Sequence, residues 1–256
     1  MEMFGKILAI NFVIVLIFMS AAFAIAYYRK RLDTVDIAWG LGFVTVAFST
    51  VWQKPAITTL VIYFLVAIWG LRLANHIWQR AKVTSEDPRY EEIGRKWKGN
   101  YWQRAYVSIF LVQGALILLV SLPVVAASGE QLSGYGWLLG LGVLVWLKGF
   151  TIESIADWQL RKFLATKNHP KHLMTGLWRY SRHPNYYGEL LQWWSIAVIA
   201  LQCSWGWIGL IGPLTLTILI VFISGIPPIE KRRQNDAQYQ AYKQRTSALV
   251  LLPSRK

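Results

Sequence analysis

Seven apolar runs, each close to the roughly 20 residues that span a bilayer core, recur along the chain at 7–27, 35–52, 56–78, 105–128, 135–155, 186–204 and 205–226. In hydrocarbon every backbone polar group must find its partner inside its own segment, so such runs are helices. The pattern predicts an all-α fold: a polytopic integral membrane helix bundle of about seven transmembrane helices, built as a single membrane domain over residues 1–256. The last two runs are separated only around Cys203-Ser204-Trp205-Gly206 and read as a tight helical hairpin.

Composition agrees. Hydrophobic residues make up 55% of the chain and charged ones 16%, against about 25% charged in soluble domains. The lone Cys203 excludes a disulfide scaffold. The net charge of +14 is unevenly placed. With the N-terminus outside and seven crossings, the inner segments hold 23 of the 27 Lys and Arg residues, and the outer ones only Lys6 and Lys54. This positive-inside asymmetry predicts N-out, C-in. The first run carries a cleavage-like Ala22-Phe23-Ala24, but Arg29-Lys30-Arg31 directly behind it marks a retained membrane helix rather than a signal peptide. The inner cations face membrane lipids or an anionic cofactor. No nucleic-acid recognition module is visible.

Ionisable groups inside membrane helices are costly and mark sites by default. Asp33 and Asp36 open the second run; Asp33 suits a helix-terminal charge, and Asp36 lies one turn deeper, ahead of Gly40 and Gly42, which leave room for a flat ligand or a close helix. Arg72, His76 and Arg80 repeat every four residues at the inner end of the third run. Glu153 and Asp157 share one face of the fifth, and Glu189 lies one turn inside the sixth, with Gln192 nearby. A structural Asp36–Arg72 pair and a snorkelling Arg80 or Lys148 are the plain alternatives. The histidines show no metal-ligand spacing.

The densest chemistry runs from Glu153 to Glu189. It brings Asp157, Arg161, Lys171, Arg179, Tyr180, Arg182, His183, Asn185 and Tyr186 between two helix ends. Basic groups suit phosphates, and carboxylates with Asn suit ribose hydroxyls and amides. His183-Pro184-Asn185 forces an extended turn that starts the next helix. The composition fits a polar, phosphate-bearing cofactor at a membrane surface.

The stretch Gly176-Leu177-Trp178-Arg179-Tyr180-Ser181-Arg182-His183-Pro184-Asn185-Tyr186-Tyr187-Gly188-Glu189, with Glu153-Ser154 and Asp157 upstream, resembles the C-terminal domain of steroid 5α-reductases. It is closest to a bacterial branch, the DUF1295 group, and shares a broader pattern with sterol C14 reductases and isoprenylcysteine carboxyl methyltransferases. Val35-Asp36-Ile37-Ala38-Trp39-Gly40 and Glu86-Asp87-Pro88-Arg89-Tyr90 look like the same branch. The resemblance implies NADPH as cofactor, a place in lipid metabolism and a bacterial inner membrane. It implies a substrate-side part at residues 1–104 and a cofactor-binding part at 105–256. Carried over by motif, Asp157, Asn185 and Glu189 match cofactor-contacting positions. Lys171 replaces an arginine, and Tyr242, in Tyr242-Lys243-Gln244-Arg245, matches a C-terminal tyrosine near the cofactor. Glu153 stands where the steroid enzymes carry Asn. Their Gln-Glu pair in the second helix, with its tyrosine partner, is not found; Asp36 is the nearest acid, and Arg72 or His76 the nearest donor.

The expected chemistry is reduction of a double bond conjugated to a carbonyl in a lipophilic substrate that is steroid-like, isoprenoid or fatty-acyl. An acid near the carbonyl would stabilise the developing oxyanion. The same tyrosine-rich motif also suits a methyltransferase that uses S-adenosylmethionine on a lipid or prenylated substrate. Those enzymes carry a Glu-Glu pair where this chain has Glu230-Lys231-Arg232-Arg233, a cationic run with Arg233 at its end that suits the 2′-phosphate of NADPH better.

Overall fold

The computed structural model describes residues 2–83, 86, 88–95, 97 and 99–254. The described residues are helical apart from turns and two isolated bridges, Gln131 with Cys203 and Ser181 with Ser247. Among the described residues, six helices are long and apolar enough to cross a membrane. They are α1 (Glu2–Arg29), α2 (Thr34–Gln53), α3 (Ile57–Val83), α5 (Tyr101–Val120), α7 (Trp137–Ala165) and α9 (Gly206–Arg232). Short helices fill the gaps: α4 (Pro88–Arg95), α6 (Leu122–Ala126) and α10 (Ala237–Arg245). The expected sixth crossing is α8 (Pro184–Ala200), whose 17 residues give about 26 Å of helix, short of a roughly 30 Å hydrocarbon core. Six rather than seven helices therefore meet the length of a full crossing. Pro184 sets the start of α8, and the turn that pairs Cys203 with Gln131 ends it.

Proline and glycine also explain the broken runs. The expected 105–128 run begins at Tyr101, contains a π-turn at Tyr106–Leu111 and stops at Ser121, ahead of Pro123. Helix α9 extends past the expected 226 and contains a second π-turn at Leu219–Ile223. It bends at Ser224-Gly225, ahead of Pro227 and Pro228, which supply no N–H. A Cβ on Gly225 would lie 2.6 Å from the Ile220 carbonyl oxygen, so the bend requires glycine.

The chain forms two compact units. The first is Met1–Gly136 with Ile199–Gly212; the second is Trp137–Val198 with Pro213–Lys256. In the first unit, α2 and α3 cross in backbone contact. A Cβ on Gly40 would stand 2.7 Å from the Gly70 oxygen, and one on Gly70 would stand 2.6 Å from the Gly40 oxygen. The Ile117 side chain occupies the space beside Gly42, at 2.6 Å from a built Cβ. Both glycines admit a helix rather than a ligand, which is the small-residue packing expected where lipid supplies no hydrophobic drive between helices.

The two ends of this unit are closed by polar contacts. At one end Arg31 donates to both Asp33 oxygens (3.1 and 2.6 Å) and to the Ala81 carbonyl (3.0 Å), joining the α1–α2 turn to the end of α3. The Leu32 N–H donates to Glu86. Asp33 occupies the N-cap position of α2 without a side-chain cap; its carboxylate is spent on Arg31 and holds that guanidinium pKa above its ordinary value. It stands at the helix end as expected, and its carboxylate is also engaged by Arg31. At the other end the Gln131 amide donates to Thr58 (2.7 Å), Leu132 N–H to Gln202 (2.8 Å) and Ser204 N–H to Glu130 (2.9 Å).

The second unit repeats the glycine device. Helices α7 and α8 touch at Gly149 and Gly188, where a Cβ on either would lie 2.7 or 2.6 Å from the other's carbonyl oxygen. Gly140, on the same helix α7, has nothing within 4 Å. Gly40→Leu is therefore expected to destabilise the protein by about 1–3 kcal/mol, the usual cost of overpacking. Gly140→Leu should be neutral or slightly stabilising, since it only removes a helix-interior glycine. Unfolding of the two variants in mixed micelles checks the contrast.

Candidate functional site

The second unit builds its polar site on a frame of three turns. The 3₁₀ turn Gly176–Arg179 begins at a residue with φ +63°, and a Cβ there would overlap the Gln159 amide. Gln159 in turn accepts the Leu177 N–H at 3.0 Å. The buried Trp178 donates its indole N–H to the Ala156 carbonyl (3.2 Å), fastening the turn to α7. Ser181 follows. Its hydroxyl donates to the Leu249 carbonyl (2.7 Å) and accepts the His183 N–H (3.1 Å), while Arg182 N–H donates to Ser247 (2.9 Å) and Leu252 N–H to Tyr180 (3.1 Å). The C-terminal tail is thereby strapped along residues 180–182.

Two residues expected to face a cofactor are consumed by this frame. Arg182, 7% exposed, donates through Nε and Nη2 to Glu230 (2.9 and 2.5 Å) and through Nη1 to the Lys243 carbonyl (3.2 Å) and to Thr246. Lys243 completes the cluster on the other Glu230 oxygen at 2.7 Å. Tyr242 aims its hydroxyl at the Trp178 and Ser181 carbonyls, the latter at 3.3 Å. Burial holds its phenol pKa above the ordinary value, so it stays a donor. Sequence spacing gives no hint that these groups face one another, because their partners lie 48 to 64 positions away.

The remaining expected residues divide by position. Glu153 and Asp157 are buried on one face of α7, and Glu153 accepts the Gln192 amide at 2.5 Å. Arg161 is exposed one turn further on. Asn185, Tyr186 and Glu189 lie half-buried in the first turns of α8. His183 is 3% exposed and stacks on Tyr186 with ring centroids 5.5 Å apart. Arg179 and Arg245, both exposed, border a cavity of about 440 Å³ together with Thr175, Tyr242, Thr246 and Ser254. Lys171 and Arg233 border a second cavity of about 440 Å³. Tyr180 is exposed beside the strapped tail.

Asp36, Arg72 and His76 belong to the first unit. The Gly40–Gly70 crossing sets the register of α2 against α3 and puts Asp36 near the level of Ala74, with Arg72 and His76 each about 3 Å along the axis to either side. Asp36 is engaged by a residue absent from the expected set. The buried Tyr90, on α4, donates its hydroxyl to Asp36 Oδ1 at 2.5 Å. Tyr90 is the last residue of the Glu86-Asp87-Pro88-Arg89-Tyr90 motif, so the signal was present in the sequence. It was not connected to Asp36 because the two lie 54 residues apart. Asp87 of that motif lies outside the described residues.

His183 makes the frame sensitive to pH. Burial lowers its pKa to about 4, with neighbouring Arg182 and Arg233 acting in the same direction and Glu230 opposing them. The folded protein binds this histidine neutral. Its contribution is fully present above the ordinary pKa near 6.5 and is lost as pH falls through the window down to 4. Between pH 6.5 and 4 the parent should lose about 3 kcal/mol relative to His183→Gln. Unfolding titrations of the two proteins at several pH values measure the difference.

Comparison with known proteins bears on most of the chain. No solved structure matches it. An uncharacterized protein of Schizosaccharomyces pombe, C594.04c, is 24% identical over 186 residues, covering 60% of this chain and 54% of the relative. The chain thus spans about half the length of the curated relative it matches. The family model described as protein of unknown function (DUF1295) matches residues 22–246, a stretch that takes in α2 to α10 and both polar clusters, and the chain belongs to that family.

Proposed function

We propose that the chain is a membrane-embedded, NADPH-dependent reductase of a carbon–carbon double bond conjugated to a carbonyl in a lipophilic substrate. The observation that carries this reading is the Tyr90–Asp36 hydrogen bond of 2.5 Å. With Asp36 protonated, its carboxyl donates to the Tyr90 oxygen and leaves the Tyr90 hydroxyl to donate to a substrate carbonyl oxygen, where negative charge develops during reduction; the proton Tyr90 gives up is replaced by the one on Asp36. Arg72, on α3, adds positive field to the oxygen, and His76 near the same level is a further hydrogen-bonding group. Saturation is completed when a proton is delivered to the carbon next to the carbonyl. NADPH, when bound, supplies the hydride for the other carbon.

The second unit fits such a cofactor. The cavity between Arg179 and Arg245 offers two exposed guanidinium groups, with Thr175, Thr246 and Ser254 as hydroxyl partners. That set suits a diphosphate. Asn185 at the start of α8 offers an amide, and Glu153, Asp157 and Glu189 offer carboxylates to ribose hydroxyls. Arg182 and Tyr242 support the reading by holding the walls in place.

Thermal shift in mild detergent tests the cofactor, because a ligand that binds only the folded state raises Tm. NADPH is expected to stabilise the protein and S-adenosylmethionine is not; the reverse result would replace reduction with methyl transfer. With NADPH bound, Asp36→Asn and Tyr90→Phe should each lower turnover by about 100-fold while leaving the NADPH shift intact, within the range of a lost general acid.

The charge asymmetry supports a placement with the N-terminus outside and the C-terminus in the cytoplasm, which takes the six long helices together with the 17-residue α8 as the seventh crossing. A reporter active only in the cytoplasm should be active when fused behind the C-terminal residue, Lys256, and silent when fused after Glu130. Activity at the Glu130 fusion would invert the topology.

A further inference from the structure

Beside α10 lies a cavity that the proposed reaction leaves without a role. It measures about 440 Å³ and is bordered by Lys171, His172, Arg232, Arg233, Asn235 and Asp236. The cavity between Arg179 and Arg245 has a different set of lining residues. Three permanent cations and a histidine face one carboxylate. That carboxylate is already spent: Asp236 binds Lys171 at 2.6 Å and His172 at 2.9 Å, and it caps α10 by accepting the Gln238 and Tyr239 N–H groups. The Lys171 contact, ahead of that from His172, holds the Asp236 pKa well below the usual carboxylate range, so it remains an anion at any working pH.

Asp236 neutralises only part of the positive charge around it. Arg232 and Arg233 are exposed. The Arg233 guanidinium lies 5.1 Å from the Tyr239 ring centroid, and His172 packs on the same ring at 5.3 Å, so both are oriented by an aromatic that is itself 1% exposed. A cavity with two open guanidinium groups and a fixed ammonium takes a compact, doubly charged oxyanion.

Its position says how that oxyanion is carried. Residues 171–176 and helix α10 both run between the two cavities: Lys171 and Asp236 border one, Gly176 and Tyr242 the other. Six helical residues from Asp236 to Tyr242 amount to about 9 Å. A ligand with one phosphate group at Arg232 and Arg233 and a second, separate one at Arg179 and Arg245 would lie along this face.

We propose that the Arg232–Arg233–Lys171 cavity is a phosphomonoester site that reads the 2′-phosphate of the dinucleotide and so selects NADPH over NADH. Resting on the NADPH reading, this goes further by assigning the selectivity to a second cavity and giving Asp236 the role of a positioning residue.

The test measures dissociation constants of the full-length protein in detergent for NADPH, NADH, adenosine 2′,5′-bisphosphate and ADP. The parent should prefer each 2′-phosphorylated ligand over its counterpart by about tenfold or more, the worth of charge-assisted hydrogen bonds. In Arg232→Gln/Arg233→Gln, whose side chains are exposed, both preferences should collapse toward one. Asp236→Asn should reduce the preference partly, and Lys171→Gln likewise. If NADPH binds but the double variant keeps the parent's preference, the assignment is overturned and the reductase reading stands. If the parent binds both members of each pair equally while vesicles containing phosphatidic acid lose affinity for the double variant, the cavity is a lipid-headgroup contact and the proposal fails. Absence of binding by every nucleotide removes the reductase reading and this site together.

Discussion

The ion pair in which Arg182 donates two N–H groups to Glu230 Oε1 is the interaction on which the second unit depends. One guanidinium gathers Glu230 from the end of α9, the Lys243 carbonyl from α10 and Thr246 at the start of the tail. The arginine is 6% exposed at its side chain and the glutamate 13%. Removing one partner from such a pair leaves a charge in a poorly solvated place, which is strongly destabilising, whereas the intact pair satisfies every group it contains. The arginines that remain open to ligands, Arg179 and Arg245, border one cavity with Thr246, whose carbonyl Arg182 holds.

Much of the fold was legible because a bilayer leaves a chain few options. Apolar length and the positive residues flanking it locate helices without any knowledge of tertiary contacts, and six of the expected runs became long helices. The exceptions have local causes. The α8 run was shortened by Pro184 and the bridge at Cys203. The glycines were legible as close-approach positions, but what approaches each one was not; Gly40 meets Gly70 and Gly42 meets Ile117.

Polar residues were legible by type and not by duty. Arg182 and Arg179 stand three positions apart with the same side chain, yet one is locked into the frame and the other borders a cavity. The difference lies in Glu230, 48 residues away from Arg182. The same limit hid Tyr90 from Asp36 and Asp236 from Lys171. In each case the informative fact is a pairing across the chain, which composition and helical periodicity do not encode.

The first unit is discontinuous: its edge at residues 129–132 is completed by residues 202–204, through Ser204 with Glu130 and Leu132 with Gln202. During synthesis the backbone groups of Glu130 and Leu132 must wait for some seventy residues before their partners emerge. Long-range closure of this kind slows assembly. The turn at Cys203 is therefore a late fastening of the first unit, closed only after most of the second unit's α7 and α8 have been made.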